Sequence, residues 1–356
     1  MRIPMRRGED GAVAMVSAFL VIALIAICAF VTDFGYAYAN KRLTQNGVDA
    51  AVLAAAQSII ERVPSGKTCP QVRDDINNQL DGAWTTPAKP AAKLVAQSFF
   101  RENAPNSKAT LKASDIIASC ESNLGLKIEA LSTMSSDAFF GRVIGTSSIP
   151  VATRAAAVVG PTTGAIGVYP IAICQARAME AAAHPGQVYA FPLEKNDPVC
   201  ALDNSVWGLL NFDGSRGNGG DDGAFHDLQY GYDKPIDAST PVEAVLVDGS
   251  PGFRASLNSY IEALVGREIV LPVYDAYISH DKDYRISGFM TVEVCGFQDK
   301  KSGTWQSPCA EVADDKERWI MFRFKKFLPN AELNTACAFL DPSCDKGTSY
   351  VAKLGR

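Results

Sequence analysis

Residues 11–32 read GAVAMVSAFLVIALIAICAFVT, and no charged residue stands between Asp10 and Asp33. As a helix this run covers roughly 33 Å at about 1.5 Å per residue, against a hydrocarbon core of about 30 Å. It is apolar on every face, whereas a core helix of a globular domain keeps a polar stripe. A cleaved secretory signal is the rival reading, because Ala37-Tyr38-Ala39 resembles a cleavage site. A signal's apolar stretch, however, covers only about 7–15 residues. The run therefore reads as an uncleaved membrane anchor over 11–32, preceded by a short N-terminal segment, 1–10.

The flanking charges set an orientation. Arg2, Arg6 and Arg7 precede the run, and Lys41 and Arg42 follow it. The excess of basic residues on the N-terminal side places that side in the cytoplasm. Everything after Asp33 then faces outward, in the periplasm or outside the cell. Asp33 itself lies at the outer edge of the run. Its carboxylate either stays hydrated there or pairs with a partner subunit, and the sequence leaves both open.

The helical pattern continues past the anchor. The stretch 33–63, DFGYAYANKRLTQNGVDAAVLAAAQSIIERV, has no proline before Pro64 and is rich in good helix formers. Gly47, Ala51 and Ala55 recur every four residues, a small-residue face that lets another helix approach closely. One continuous helix from Gly11 to Arg62 makes a stalk, 33–62, rising from the membrane. The alternative is a shorter anchor, a turn near Gly35 or Gly47, and a separate Ala-rich core helix.

Composition bounds the rest. The chain has 356 residues, of which 47% are hydrophobic and 21% charged, with a net charge of −5. That excludes a disordered, collagen-like or miniature disulfide-bonded protein, and it gives no basic footprint for nucleic acid. Of nine cysteines, Cys28 lies inside the anchor. The other eight, Cys69, Cys120, Cys174, Cys200, Cys295, Cys309, Cys337 and Cys344, are an even number on the outward side, which suits an oxidising compartment. None forms a C-x-x-C pair, and no His pair has zinc-like spacing. Eight cysteines allow 105 connectivities; the working expectation is sequential pairing, Cys69–Cys120, Cys174–Cys200, Cys295–Cys309 and Cys337–Cys344.

Beyond the stalk, residues 63–160 read as a small α/β region. Ser65 to Pro90 is irregular with one short helix. Pro90 to Asn103 reads as a helix whose apolar face is Leu94, Val95, Phe99 and Phe100. LKIEALSTM alternates like a strand, and VIGTSSIPVATRAAAVVG is extended. Residues 161–356 read as β-rich, a sandwich- or barrel-like unit. Its strand signals are VWGLLNF, VEAVLV, REIVLPVYDAYI, YRISGFMTVEVCGF and RWIMFRFKKF, with one helix from about Arg254 to Val265. The fold class expected is α+β: a long N-terminal transmembrane and stalk helix, a small α/β layer, and a β-rich extracytoplasmic domain.

Chemistry is sparse. Asp213 to Gly223, DGSRGNGGDDG, clusters carboxylates and glycines as a calcium loop does. The EF-hand spacing fails, because its twelfth position is Ala224, so the segment reads as a surface loop. His184, His226 and His280 are the only histidines, and no G-x-S-x-G elbow occurs. No constellation argues for catalysis, for a cofactor or for a metal.

The N-terminal stretch carries a family resemblance. In order it has Gly8 and Gly11 after a basic start, the apolar span, Asp33, Lys41-Arg42-Leu43, Gln45, Asp49-Ala50-Ala51 and Leu53-Ala54-Ala55-Ala56. This ordered set resembles the N-terminal helix of the TadE/TadG-like proteins of Flp (tight adherence) pilus assembly. A prepilin cleavage site needs Glu at the fifth position after its Gly; Val13 and Val16 stand there instead. The chain is thus similar to TadG-like rather than TadE-like members. Asp248 to Gly252 does not match the metal site of a von Willebrand A domain, so that domain is not expected. Looser likenesses continue through Phe139-Phe140, Ile144-Gly145, Tyr169-Pro170, Trp207-Gly208 and Leu271-Pro272.

The resemblance implies a single-pass structural protein of a bacterial inner membrane, not an enzyme. Its partners would be other Tad assembly proteins, TadE/TadF-like pseudopilins, met through the stalk, together with the lipid bilayer. The residues expected to carry helix packing are Asp33, Gln45, Gly47, Asp49 and Ala51. The competing reading is a membrane-tethered binding or hydrolase domain unrelated to pili.

Overall fold

The apolar run opens one unbroken helix. The computed structural model describes residues 10–121, 125–192, 200, 207–212, 221–238, 245–251, 258–278, 283–298, 305–306, 319–326, 328, 332–333, 339–340 and 349–355. In it, α1 (Asp10–Arg62) passes through Gly35 and Gly47 without a turn. Its 53 residues extend about 80 Å. Pro64 ends it, since the residue before a proline is pushed out of the helical region. Arg2, Arg6 and Arg7 lie outside the described residues, whereas Lys41 and Arg42 are on α1.

The two halves of α1 have different surroundings. From Val13 to Val31 the large side chains are exposed, Phe19 to 71%. From Val48 onward the inward face is buried: Val48, Val52, Ile59 and Ile60 are fully covered. The outer half is therefore the core helix of a domain rather than a free stalk. The expected continuous helix is observed and the alternative turn near Gly35 or Gly47 is not, while the Ala-rich stretch of the same helix packs in a core.

The layer around it forms from nearby sequence. α2 (Cys69–Asn77) starts where the Thr68 N–H donates to the Gln71 side chain, 2.9 Å away, half of a capping box. α3 (Ala92–Asn103) packs on α1. Its buried face is Ala92, Lys93, Ala96 and Phe100, while Leu94 and Phe99 stay 48% and 42% exposed. This corrects the expected apolar face at Leu94 and Phe99, while Phe100 is buried as expected. Small side chains every four residues allow the close approach to α1 that Leu94 and Phe99 would block.

β1 (Ile116–Glu121), β2 (Gly125–Asp137) and β3 (Ser148–Ala165) form an antiparallel sheet against α1. Leu126, Ile128 and Ala130 alternate towards α1. β3 runs through residue 160, which the sequence takes as a boundary, and later strands return to it.

The outer half adds β4 (Ile171–Cys174), α4 (Gln175–Ala183), β5 (Val188–Pro192), β6 (Trp207–Asn211), α5 (Asp221–Tyr230), β7 (Ile236–Asp237) and β8 (Val245–Pro251). It continues with α6 (Asn258–Glu262), β9 (Glu268–Ile278), β10 (Asp283–Gln298), β11 (Trp305–Gln306), β12 (Trp319–Lys325), β13 (Glu332–Leu333) and β14 (Tyr350–Gly355). The sequence reading expected a single helix here; α4 and α5 were not foreseen, although QARAMEAAA is rich in helix formers.

Five strands close a circuit. β9 pairs β10, β10 pairs β8, β8 pairs β6, β6 pairs β4, and β4 returns to β9 in parallel through Ile173 and Val273. β12 and β5 extend the sheet from the far end of β10. The circuit is filled by Tyr274, Tyr284, Ile286 and Phe289. A Cβ on Gly208 would sit 2.1 Å from the Tyr284 hydroxyl, so only glycine admits the ring there. The architecture is α+β with a β-rich, barrel-like outer half.

β14 joins the two parts. It pairs with β3, placing Tyr350 in the core around α1 and Val351 in the core of the outer half. Beside it, Ser349 is fully buried. Its Oγ accepts from the Thr291 N–H and donates to the Lys325 carbonyl, both at 2.8 Å.

Candidate functional site

The β2–β3 hairpin lies along α1 and points its tip back at the apolar run. Three polar residues on one face of α1 follow it down. Thr44 Oγ1 sits 3.2 Å from Met134 Sδ, and Asn40 donates to Ser136 Oγ at 3.1 Å. Asp33 meets the tip. The spacing of these residues, seven and then four, is that of one helix face.

Asp33 is 5% exposed. Its Oδ1 accepts from the Phe139 N–H at 2.7 Å, and its Oδ2 accepts from Phe140 at 3.0 Å and Gly141 at 2.6 Å. These donors are the free N–H groups opening the short 3-10 turn Gly141–Ile144, where a carboxylate is favoured. Neither water nor a partner subunit is needed to satisfy this carboxylate, because the chain's own hairpin does so. The Tyr36 and Phe139 rings meet edge to face at 5.3 Å beside it. Between the helix and the tip lies a groove of about 500 Å³, lined by Ile22, Ile25, Phe30, Phe140, Val143 and Ile149.

The other expected packing residues also point inward. Gln45 donates to Asp49 Oδ1 at 2.7 Å and to the Arg154 carbonyl in β3 at 3.0 Å. A Cβ on Gly47 would stand 2.7 Å from the Ala104 Cβ and 3.1 Å from the Phe100 ring. Ala51 is fully buried in the same core. A helix does approach the small-residue face, and that helix is α3 of the same chain. What α1 leaves uncovered is its apolar stretch, 13–32.

Arg62 and Asp81 form a buried ion pair at 3.5 Å that sequence reasoning missed. Asp81 Oδ2 also accepts from the Ala92 N–H at 2.7 Å, which starts α3, while Arg62 donates to the Pro90 carbonyl. Burial pushes the Asp81 carboxyl up and the nearby Lys93 ammonium down from their ordinary values. The cluster ties the end of α1 to α3.

Cys69–Cys120 and Cys174–Cys200 are disulfides, the first two of the expected sequential pairs. Cys295 is also disulfide-bonded. Cys309, Cys337 and Cys344 lie outside the described residues. Cys28 is free and exposed in the apolar stretch.

Other candidates are dispersed. His184 bonds to the Tyr189 hydroxyl, and His226 stands 3.5 Å from Asp227. His280 and residues 213–220 of the acidic loop lie outside the described residues; 221–223 begin α5. Among the described residues, no three His, Cys, Asp or Glu side chains gather as a metal site.

Residues 11–58 match the family model Tad, Flp pilus-assembly TadE/G-like. The match covers α1 to within its last turn. No curated protein and no solved structure matches the chain.

Proposed function

We propose that this chain is a single-pass, membrane-anchored structural component of Flp (Tad) pilus assembly. The observation that carries the reading is the uncovered apolar length of α1, 13–32, lying within the stretch similar to the Tad family. The N-terminal segment lies in the cytoplasm, the anchor crosses the bacterial inner membrane, and the folded part faces the periplasm or the exterior. Other assembly proteins of the TadE/TadF-like kind meet it through that anchor, where helices associate by close packing in lipid. Surfaces of the outer domain dock on pilus or envelope. Its role is structural rather than enzymatic.

Replacing 13–32 with an unrelated apolar helix of equal length tests this directly. Assembly through the anchor predicts loss of surface pili and of co-purifying Tad proteins, with the outer domain still folded and membrane-bound. Normal piliation after the swap would reduce the span to a tether and favour an anchored binding domain instead.

A further inference from the structure

The tip of the β2–β3 hairpin carries an apolar patch beside the anchor. Phe139, Phe140 and Val143 are 57%, 48% and 87% exposed, although this tip is the part of the hairpin furthest from both cores. An exposed cluster of this kind normally marks a contact surface.

We propose that this tip is a second membrane attachment, inserted into the outer leaflet of the bilayer that the anchor spans. The proposal rests on the anchor reading given above. Its first support is position. Phe140 shares a surface recess with Val21, Leu24, Ile25 and Cys28, and Val143 lines the groove with Ile22 and Ile25. Ile25 lies about 12 Å along the helix from Asp33, towards the membrane. A bilayer that covers this part of the anchor therefore covers the tip as well.

The second support is the backbone. A segment entering lipid must satisfy its own N–H groups, because no water is there to do so. The N–H groups of Phe139, Phe140 and Gly141 are taken by Asp33. Those of Val143, Gly145 and Thr146 are taken by the Phe140, Arg142 and Gly141 carbonyls within the tip.

The third support is composition. Phe139 and Tyr36 lie where the apolar run ends, as interfacial aromatic residues do. Arg142 is exposed among them, able to reach lipid phosphate while its stem stays in the apolar layer. The occupant is therefore lipid, with acyl chains around Phe140 and Val143 and headgroups at Arg142. Asp33 fixes the depth of insertion by holding the tip against α1.

The experiment is site-directed spin labelling of the full chain in vesicles of phosphatidylethanolamine and phosphatidylglycerol. One sample is labelled at native Cys28 and a second at Val143→Cys in a Cys28→Ala background. A third carries Glu61→Cys as the aqueous reference. Oxygen partitions into lipid and a nickel chelate stays in water. The proposal expects oxygen to relax the label at 143 more than nickel does, as at Cys28, with the order reversed at 61. A label at 143 that follows the order seen at 61, while Cys28 reports lipid, overturns the insertion and leaves the anchor intact. Failure at Cys28 as well overturns the anchor reading itself. Shielding of 143 from both relaxants also overturns it, and shows a protein helix or a second copy seated in the groove.

Discussion

The Asp33 oxygens accept from backbone N–H groups more than a hundred positions further along the chain. Asp33→Ala leaves the Phe139–Gly141 donors without an acceptor in a covered place. Amide exchange at these positions should then rise by at least about tenfold, with the outer domain otherwise unchanged. Unaltered protection would mean that the turn holds itself. Gly47 allows a different test. A Leu side chain there must displace Ala104 and Phe100, so Gly47→Leu should cost about 1–3 kcal/mol of stability, read by denaturant unfolding in detergent. Full stability with lost assembly would instead put Gly47 on a partner helix. Both positions were legible in the sequence as special, one by its charge and one by its lack of a side chain. Their partners were not, because sequence spacing places residues on a face without saying which distant segment covers that face.

At the scale of elements, the runs with strong periodicity or strong composition were readable. The apolar length of α1 and the β-branched runs of β9, β10 and β12 stand out in the sequence. The short elements were harder. α3 reads as a helix, but its buried face went to Ala92, Ala96 and Phe100 because close approach to α1 outweighs the burial of larger side chains. The Arg62–Asp81 pair was illegible for a similar reason, since nothing local distinguishes a buried carboxylate from a solvated one. Cys69–Cys120 joins α2 to β1 across a separation of 51 residues. Opening it with Cys69→Ala and Cys120→Ala should cost about 2–4 kcal/mol, measured as a lower denaturation midpoint. An unchanged midpoint would show that packing alone holds α2 in place.

At the scale of the whole molecule, the uncovered apolar stretch and the folded part share one backbone helix, with no linker between them. Tilting that stretch therefore tilts the domain. The chain's linear order hid a second connection: β14 returns to β3 and reaches the cores on both sides of it. Neither a period nor a motif announces so short a strand.

That return has a consequence for biogenesis. A chain is made from its N-terminus, so α1 is complete well before β14. In the interval, the apolar flank of α1 from Val48 to Ile60 has left the ribosome but lacks Phe339 and Tyr350, which help to cover it. On the proposed anchoring, that adhesive surface waits at the bilayer face rather than free in solution.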